Sequence, residues 1–173
     1  MGGEQLQGGI RLYSTVVHPF APIAGPGSHT LILGTMASPR SRENGFYYGH
    51  PQNRFWPVLA AVYGRSVPQT EAERAALLLD NGLALWDVLA SCEIDGAADA
   101  SIRAPVPNDI PALLAACPIR RVFTTGQTAA RLYRRLVEPA TRLPCAALPS
   151  PSPANRRVPF ESLVAAYRAL RDR

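Results

Sequence analysis

The stretch TLILGTMAS, residues 30–38, decides the fold class of this chain. Its first half is an uninterrupted run of β-branched and apolar residues that ends at Gly34. Such a run is typical of a short strand that is buried on both faces, and glycine marks the turn that follows it. Strands of this kind occur in parallel sheets that helices cover, so the stretch predicts an α/β protein.

Strand and helix patterns alternate in the rest of the chain. Further buried strands are predicted at residues 83–88, 121–125 and 145–148. Amphipathic or capped helices are predicted at residues 54–63, 70–81, 111–116 and 126–137, with a closing helix from Pro159 onward. The pattern favours a three-layer α/β/α fold with a central parallel sheet of about four strands. Ligands bind to such a sheet at the carboxyl ends of its strands.

Length and composition indicate one globular domain. The 173 residues are enough to bury one core, and no apolar run approaches the ~20 residues that a membrane-spanning helix needs. The N-terminus lacks the basic and apolar regions of a signal peptide, so a cytoplasmic location is expected. We predict a flexible tail over residues 1–16 and a single domain over residues 17–173.

The basic charge of the chain comes from arginine alone. All 18 basic residues are arginines, and the net charge is +5 at pH 7. Arginine binds phosphate through paired hydrogen bonds, so a polyanionic partner fits the composition. A solvated basic face explains the same charge equally well, and both interpretations stay open at this point.

The three cysteines, Cys92, Cys117 and Cys145, are far apart and form no CxxC pair. This spacing argues against a structural zinc site, a disulfide framework and a four-cysteine iron–sulfur cluster. We therefore expect no metal and no cofactor, and we interpret the cysteines as small buried hydrophobic residues.

The residues after the first strand are rich in side chains that can bind a planar ring. The string GFYYGHPQNRFW, residues 45–56, combines aromatic residues with a histidine, an asparagine and an arginine. Aromatic faces can sandwich a heterocycle, and an amide can bind its hydrogen-bonding edge. On the residues alone, core packing and helix capping explain the cluster more readily.

This string resembles the GF-x-F-x-HP-x-NRFW signature of mismatch-specific uracil and thymine DNA glycosylases. The string LPSPSPAN, residues 148–155, follows the last predicted strand, where the uracil-DNA glycosylase superfamily has its second motif. The opening VHPF, residues 17–20, and the SPAN run are similar to the hypoxanthine-DNA glycosylase branch. The resemblance covers residues 17–171 and identifies the chain as a member of that superfamily.

The resemblance implies a monofunctional DNA glycosylase. Such an enzyme flips a deaminated base, hypoxanthine and/or uracil, out of DNA and hydrolyses its N-glycosidic bond. The resemblance also implies DNA with a damaged base as the partner, a monomer, and neither a membrane nor a metal. The chain contains no lysine, so a lyase step through a lysine Schiff base is excluded.

The resemblance also assigns site residues. Tyr48, otherwise a core tyrosine, matches the aromatic residue that stacks on the flipped base. Backbone N–H groups around Thr35 and Met36 match those that bind the edge of the base. Contacts to DNA are assigned to Ser38, Ser150, Ser152, Asn155, Arg156 and Arg157.

Two standard catalytic groups of the superfamily are missing. Met36 and Leu148 stand where the family usually has an Asp or Asn and a His or Asn. In the hypoxanthine branch the asparagine of the first motif is expected to serve catalysis; here it is Asn53, which also fits the N-cap of the next helix. Asp87, at the end of the second strand, is the nearest candidate to replace the missing carboxylate.

Other interpretations stay open. Met36 and Leu148 favour a non-catalytic DNA-binding relative that keeps the pocket but lacks the chemistry. A nucleotide-binding protein is the weakest alternative, because neither GxGxxG nor a Walker loop follows the first strand. His18 and His29 have no partner at a telling spacing and are interpreted as structural, whereas His50 faces the pocket or supports its loop.

Overall fold

The computed structural model describes residues 5–6, 9–10 and 12–172. Nine β-strands lie in these ranges: β1 (Gln5–Leu6), β2 (Gly9–Ile10), β3 (Tyr13–Val17), β4 (Thr30–Gly34), β5 (Leu83–Asp87), β6 (Leu89–Asp95), β7 (Arg103–Pro107), β8 (Arg121–Thr125) and β9 (Cys145–Leu148). The same ranges hold seven α-helices: α1 (Pro39–Asn44), α2 (Phe55–Val62), α3 (Glu71–Leu79), α4 (Ile110–Ala116), α5 (Gln127–Leu136), α6 (Glu138–Thr141) and α7 (Phe160–Tyr167). None of these helices is long and apolar enough to cross a membrane.

Strands β5, β4, β8 and β9 form a parallel sheet in that order. Strand β4 is buried throughout, because its side chains alternate between two faces and helices cover both. Ile32 packs with α2, α3 and α7, whereas Leu31 and Leu33 pack with α4 and α5 on the other face. This arrangement confirms the predicted α/β fold with four parallel strands.

A second, antiparallel sheet of β3, β6 and β7 is absent from the sequence prediction. Strand β3 corrects the flexible tail expected over residues 1–16, because Tyr13 to Val16 pair with β6. Residues 1–4, 7–8 and 11 of that tail lie outside the described residues. Val16 is the one buried residue of β3, so the strand has too little apolar alternation to be identified from sequence.

Helix α1 lies between β4 and α2, in a segment for which the sequence predicted no helix. Ser38 caps it by accepting a hydrogen bond from the Ser41 N–H at 3.1 Å, Pro39 starts it, and Gly45 with φ 77° ends it. The helix has six residues and no apolar stripe, so its caps are its main signal. Helices α3 and α4 are capped in the same way, since Thr70 and Asp109 accept hydrogen bonds from the first turns of these helices.

The four parallel strands end at one edge of their sheet. Gly34 lies in register with Asp87, and Thr125 lies in register with Leu148. The string at residues 45–56 follows β4 after helix α1, and the string at residues 148–155 begins at the last residue of β9. The fold therefore brings the two motifs to the edge at which parallel sheets bind ligands.

Candidate active site

The turn after β4 is hydrogen-bonded to the residues that follow β5. The Val88 N–H donates to the Gly34 carbonyl at 2.8 Å, and the Leu89 N–H donates to the Thr35 carbonyl at 3.1 Å. Thr35 is buried, and the half-buried Met36 packs against the core. The predicted base-binding turn therefore has a fixed backbone. The Met36 side chain brings no group there that could activate water.

Helix α1 sets the position of Tyr48. The Ser41 hydroxyl accepts a hydrogen bond from the Gly49 N–H at 2.9 Å, and the Asn44 amide donates to the Gly49 carbonyl at 2.6 Å. Next to these anchors, Tyr48 adopts a left-handed backbone conformation with φ 53°. For a residue other than glycine this costs about 1–3 kcal/mol, and such strain is often found at functional sites. Ser38, a predicted DNA contact, uses its hydroxyl to cap this helix.

Tyr48 is held by two contacts. Its ring stacks on Phe55, with centroids 4.0 Å apart and planes 19° from parallel. Its hydroxyl is 2.9 Å from the hydroxyl oxygen of Thr125. Burial, and then the negative charge of Asp87, raise the pKa of Tyr48 well above its ordinary value, so the phenol stays neutral. Phe55 covers one face of the ring, so the stacking that the resemblance implies would use the opposite face.

Asp87 forms a buried pair with His18. The Nε2 atom of His18 lies 2.6 Å from Oδ2 of Asp87, and the two side chains are 2% and 5% exposed. The second oxygen, Oδ1, makes no hydrogen bond within the part of the chain that the structure describes. The sequence interpretation of His18 as a histidine without a partner is therefore corrected, because strand β3 carries it to the end of β5.

Gly34 lies where Asp87 and Tyr48 meet. A Cβ atom on Gly34 would collide with Oδ1 of Asp87 and would lie 2.9 Å from the Tyr48 hydroxyl oxygen. A glycine at the end of β4 therefore permits the close approach of the carboxylate and the phenol.

We expect Gly34→Ala to lower the free energy of unfolding by about 1–3 kcal/mol, because the added methyl group overpacks this junction. Chemical denaturation measures the change. Gly27→Ala is the matched control, since a Cβ atom there meets nothing within 4 Å. The control should change stability by less than about 0.5 kcal/mol. Equal stability of the two variants would contradict the close approach at Gly34.

Asn53 lies one residue before the N-cap of helix α2. Its Oδ1 atom accepts a hydrogen bond from the Phe55 N–H at 2.9 Å, and its own N–H donates to the His50 carbonyl at 2.9 Å. The side-chain NH₂ group has no hydrogen-bond partner among the described residues. The expected N-cap is corrected by one position, because Arg54 occupies it without a side-chain cap bond, while Asn53 still accepts from the first N–H of the helix. The two N–H bonds of the amide stay available. A catalytic role for Asn53 stays a prediction.

Arg54 joins the two motifs. Its backbone N–H donates to the Pro151 carbonyl at 3.1 Å. Its guanidinium donates to the Val158 carbonyl at 2.6 Å and to the Asn155 carbonyl at 2.9 Å. These three hydrogen bonds hold the loop of residues 149–158 against the start of α2. The sequence analysis assigned no role to this arginine.

The loop of residues 149–158 is stiffened by its own side chains. The Ser150 hydroxyl accepts from the Ser152 N–H, and the Ser152 hydroxyl accepts from the Ala154 N–H, both at 3.2 Å. The Asn155 amide donates to the Ser150 carbonyl at 2.9 Å. Ser150 also lies beside Gly126, where an added Cβ atom would be 3.3 Å from that of Ser150. The start of this loop therefore lies beside the end of β8, next to Thr125, which contacts the Tyr48 hydroxyl.

A groove of ≈ 560 Å³ lies between the two motifs. Its lining consists of His50, Gln52, Pro153, Ala154, Asn155, Arg156 and Arg157. Arg156 donates to the Gln52 side-chain oxygen at 3.1 Å, and both arginines are exposed. Three predicted DNA-contact residues thus share one basic groove with the first motif.

The two other histidines have local hydrogen bonds. Nδ1 of His50 accepts from the Gln52 N–H at 3.0 Å, which stabilises the turn before α2. His29 lies at the opposite, amino edge of the sheet, with Nδ1 2.8 Å from the Thr30 hydroxyl oxygen. A structural role suits His29, whereas His50 both supports its turn and lines the groove.

The cysteines give no sign of a metal site. Within the described residues, no group of three or more His, Cys, Asp or Glu side chains could hold a metal ion. Cys92 is buried, and burial raises the pKa of its thiol, so it is a neutral hydrophobic residue. The expectation that all three cysteines are buried is wrong for Cys117 and Cys145, which are partly exposed.

Comparison with known proteins agrees with this geometry. The profile of the Uracil DNA glycosylase superfamily matches residues 22–171. A hypoxanthine DNA glycosylase from Methanosarcina acetivorans is 30% identical over 139 residues, which cover 80% of this chain and 87% of that protein. A hypoxanthine DNA glycosylase from Methanosarcina barkeri is 32% identical over 85 residues, covering 49% of this chain and 54% of the relative.

A solved structure has the same fold. It is a solution NMR structure of a Methanosarcina acetivorans protein described as a candidate uracil DNA glycosylase. The two structures superimpose with a TM-score of 0.76 at 26% sequence identity, over 91% of this chain and 99% of the other. The profile match spans most of the chain, as the two sequence motifs predicted. The chain therefore belongs to the uracil DNA glycosylase superfamily and is a DNA glycosylase.

Proposed function

We propose that this chain excises deaminated bases, hypoxanthine and/or uracil, from DNA by flipping the nucleotide and hydrolysing its N-glycosidic bond. The observation that carries the proposal is the meeting of Tyr48, Asp87 and the end of β4 beside a basic groove. A flipped base needs a stacking surface, donors for its edge and a stabilised leaving charge. Each of these is available at this edge.

The base would stack on the face of the Tyr48 ring that is turned away from Phe55. The neutral phenol ring offers an uncharged stacking surface, and Phe55 supports it from behind. Backbone N–H groups of Thr35 and Met36 would bind the edge of the base. The side-chain NH₂ of Asn53 would donate a further hydrogen bond to the negative charge that develops on the departing base.

Asp87 would accept a proton from the attacking water. The C1′–N bond breaks with its electron pair left on the base, while the water oxygen forms a new bond to C1′. The proton of the water passes to Oδ1 of Asp87 and then to solvent, and the released base takes a proton from solvent. The same carboxylate would stabilise the positive charge on the sugar before water attacks. Asp87 would thus take the role of the Asp or Asn that the superfamily usually has at the position of Met36.

The DNA strand would follow the groove. Phosphates would lie against Arg156 and Arg157, and the loop with Ser150, Ser152 and Asn155 would hold the backbone of the flipped nucleotide. Ser38 would contact the strand from the start of α1. Binding as a monomer in the cytoplasm completes the proposal, and analytical ultracentrifugation tests the oligomeric state.

A single-turnover assay tests the activity. Labelled oligonucleotides carry one uracil, hypoxanthine, xanthine or mismatched thymine, in single-stranded and duplex form, and alkali cleaves the abasic product. We expect release of hypoxanthine and/or uracil and no release of the four normal paired bases. Tight DNA binding without release of any base would favour the alternative, a non-catalytic relative that retains the pocket. That alternative draws its support from Met36 and Leu148.

Salt dependence tests the groove. We expect Arg156→Ala with Arg157→Ala to weaken binding on all sequences alike and to reduce the slope of log K against log salt by about 2, because two phosphate contacts are lost. The matched control is Arg65→Ala with Arg168→Ala, which removes the same charge. Arg65 pairs with Asp80 near the amino edge of the sheet, and Arg168 precedes residues that contact Arg121 there. Equal slopes for the two double variants would exclude the groove as the DNA path.

A further inference from the structure

The buried histidine beside Asp87, His18, lies outside both motifs. We infer that His18 is a positioning residue, which holds one oxygen of the Asp87 carboxylate and turns the group so that its free oxygen faces the flipped nucleotide. The inference rests on the proposed excision reaction and deepens it. It adds to the site a residue that lies outside both motifs, on the chain segment that follows β3.

The geometry fixes both partners. His18 Nε2 is 2.6 Å from Oδ2 of Asp87, and this is the carboxylate's one side-chain hydrogen bond within the described residues. The imidazole ring packs against Phe20 and Tyr47, with ring centroids 5.7 and 5.9 Å away, and those two rings also contact each other. The backbone of Asp87 is fixed as well, because the Asn108 amide donates to its carbonyl at 2.9 Å. Neither side chain can rotate without breaking packing.

A buried carboxylate needs such a partner. Removal from water penalises a carboxylate that has no hydrogen-bond donor. A hydrogen bond from His18 offsets that penalty and occupies one oxygen. The other oxygen, Oδ1, is then directed to the junction with Gly34 and the Tyr48 hydroxyl.

The second ring nitrogen is held in either protonation state. Nδ1 of His18 lies 3.0 Å from the Phe20 carbonyl oxygen and 3.3 Å from the Phe20 backbone nitrogen. A protonated Nδ1 donates to the carbonyl, and an unprotonated Nδ1 accepts from the N–H. Phe20 can therefore satisfy Nδ1 both in the neutral ring that carries its proton on Nε2 and in the charged ring, and Nε2 donates to Asp87 in both.

Other titratable groups near the pair are few among the described residues. Tyr47 and Tyr48 face Asp87, and burial and then Asp87 itself raise the pKa of both phenols, so they stay neutral. Desolvation and then the charge of Asp87 raise the pKa of Asp99, which Arg131 opposes. The charge of Asp87 therefore acts on each of these three groups.

Two variants of His18 separate positioning from packing. His18→Asn keeps an amide near the Nδ1 position, next to Phe20, but cannot reach Asp87. His18→Gln places an amide near the Nε2 position and keeps a donor to Asp87. The control is His29→Gln, which changes the histidine at the opposite edge of the sheet.

We expect His18→Asn to lower single-turnover excision by about 10–100 fold, the effect of losing one hydrogen bond to a charged group. His18→Gln should restore most of the rate, because it keeps a donor to Asp87. A purely structural His18 would lower the free energy of unfolding in both variants without this difference in excision.

The outcomes distinguish this inference from the proposed function. If wild type releases bases and His18→Asn has the wild-type rate, the inference fails and the excision proposal stands. If wild type releases no base, the excision proposal fails. Side-chain ¹⁵N NMR still tests the pair then, or if the variants do not fold. A protected Nε2–H of His18 that Asp87→Ala abolishes supports the pair, and an unprotected Nε2–H in wild type overturns it.

Discussion

Asp87→Asn is expected to lower the single-turnover rate of base excision by about 10²–10⁴ fold, the usual contribution of a group that accepts a proton in the reaction. Asparagine has the shape of aspartate, and its side-chain oxygen can still accept a hydrogen bond from His18. The variant therefore keeps the buried pair in place and removes only the charge and the capacity to take a proton.

The control for this variant is Asp80→Asn. Asp80 is exposed and pairs with Arg65 at 3.2 Å, near the amino edge of the sheet. Its replacement should leave excision unchanged and alter the free energy of unfolding by less than about 0.5 kcal/mol. An Asp87→Asn protein that folds and retains the wild-type rate would remove Asp87 from the catalytic group. The attacking water would then depend on another acceptor.

The parallel sheet could be predicted because its strands are buried on both faces. Such strands appear in sequence as uninterrupted apolar runs, of which residues 30–34 are the clearest. The antiparallel sheet could not be predicted in this way. Strand β3 buries one residue, and β6 follows β5 after the single residue Val88, so no turn signal separates the two. Strands of this kind are specified by their neighbours more than by their own pattern.

The candidate site was predictable where its residues lie within a motif. Tyr48 and Asn53 stand in one contiguous string, and the string located them. His18 and Asp87 are 69 residues apart and come together only because β3 pairs with β6. No local spacing encodes that contact. The VHPF string at residues 17–20 was noticed as a resemblance, but its histidine could not be assigned a partner before the fold was known.

The same limit applies to Arg54. The sequence places it after Asn53, but its three acceptors belong to Pro151, Asn155 and Val158, about a hundred residues away. A hydrogen bond from a guanidinium to a backbone carbonyl does not restrict the type of the acceptor residue, because every residue has the same backbone carbonyl. The acceptors therefore cannot be recognised in the sequence. The structural connection between the two motifs is therefore visible only in three dimensions.

Asn53→Ala is expected to lower excision by about 10²–10³ fold, the usual effect of removing one donor to a developing negative charge. It should also lower the free energy of unfolding by about 1 kcal/mol, because Oδ1 of Asn53 accepts from the first N–H of α2, that of Phe55. Different atoms of the amide cause the two effects. The oxygen accepts the hydrogen bond from the helix and stabilises the fold, whereas the NH₂ group has no protein partner among the described residues and can donate to the base.

Asn53→Asp separates the two roles of this residue. Aspartate accepts this hydrogen bond as well as asparagine does, so stability measured by chemical denaturation should stay within about 0.5 kcal/mol of wild type. Its carboxylate donates no hydrogen bond and would repel the negative charge on the leaving base, so excision should fall at least as far as in Asn53→Ala. A stable Asn53→Asp protein with wild-type excision would assign Asn53 to stabilising the helix alone. In that case the backbone N–H groups of Thr35 and Met36 would be the donors that stabilise the departing base.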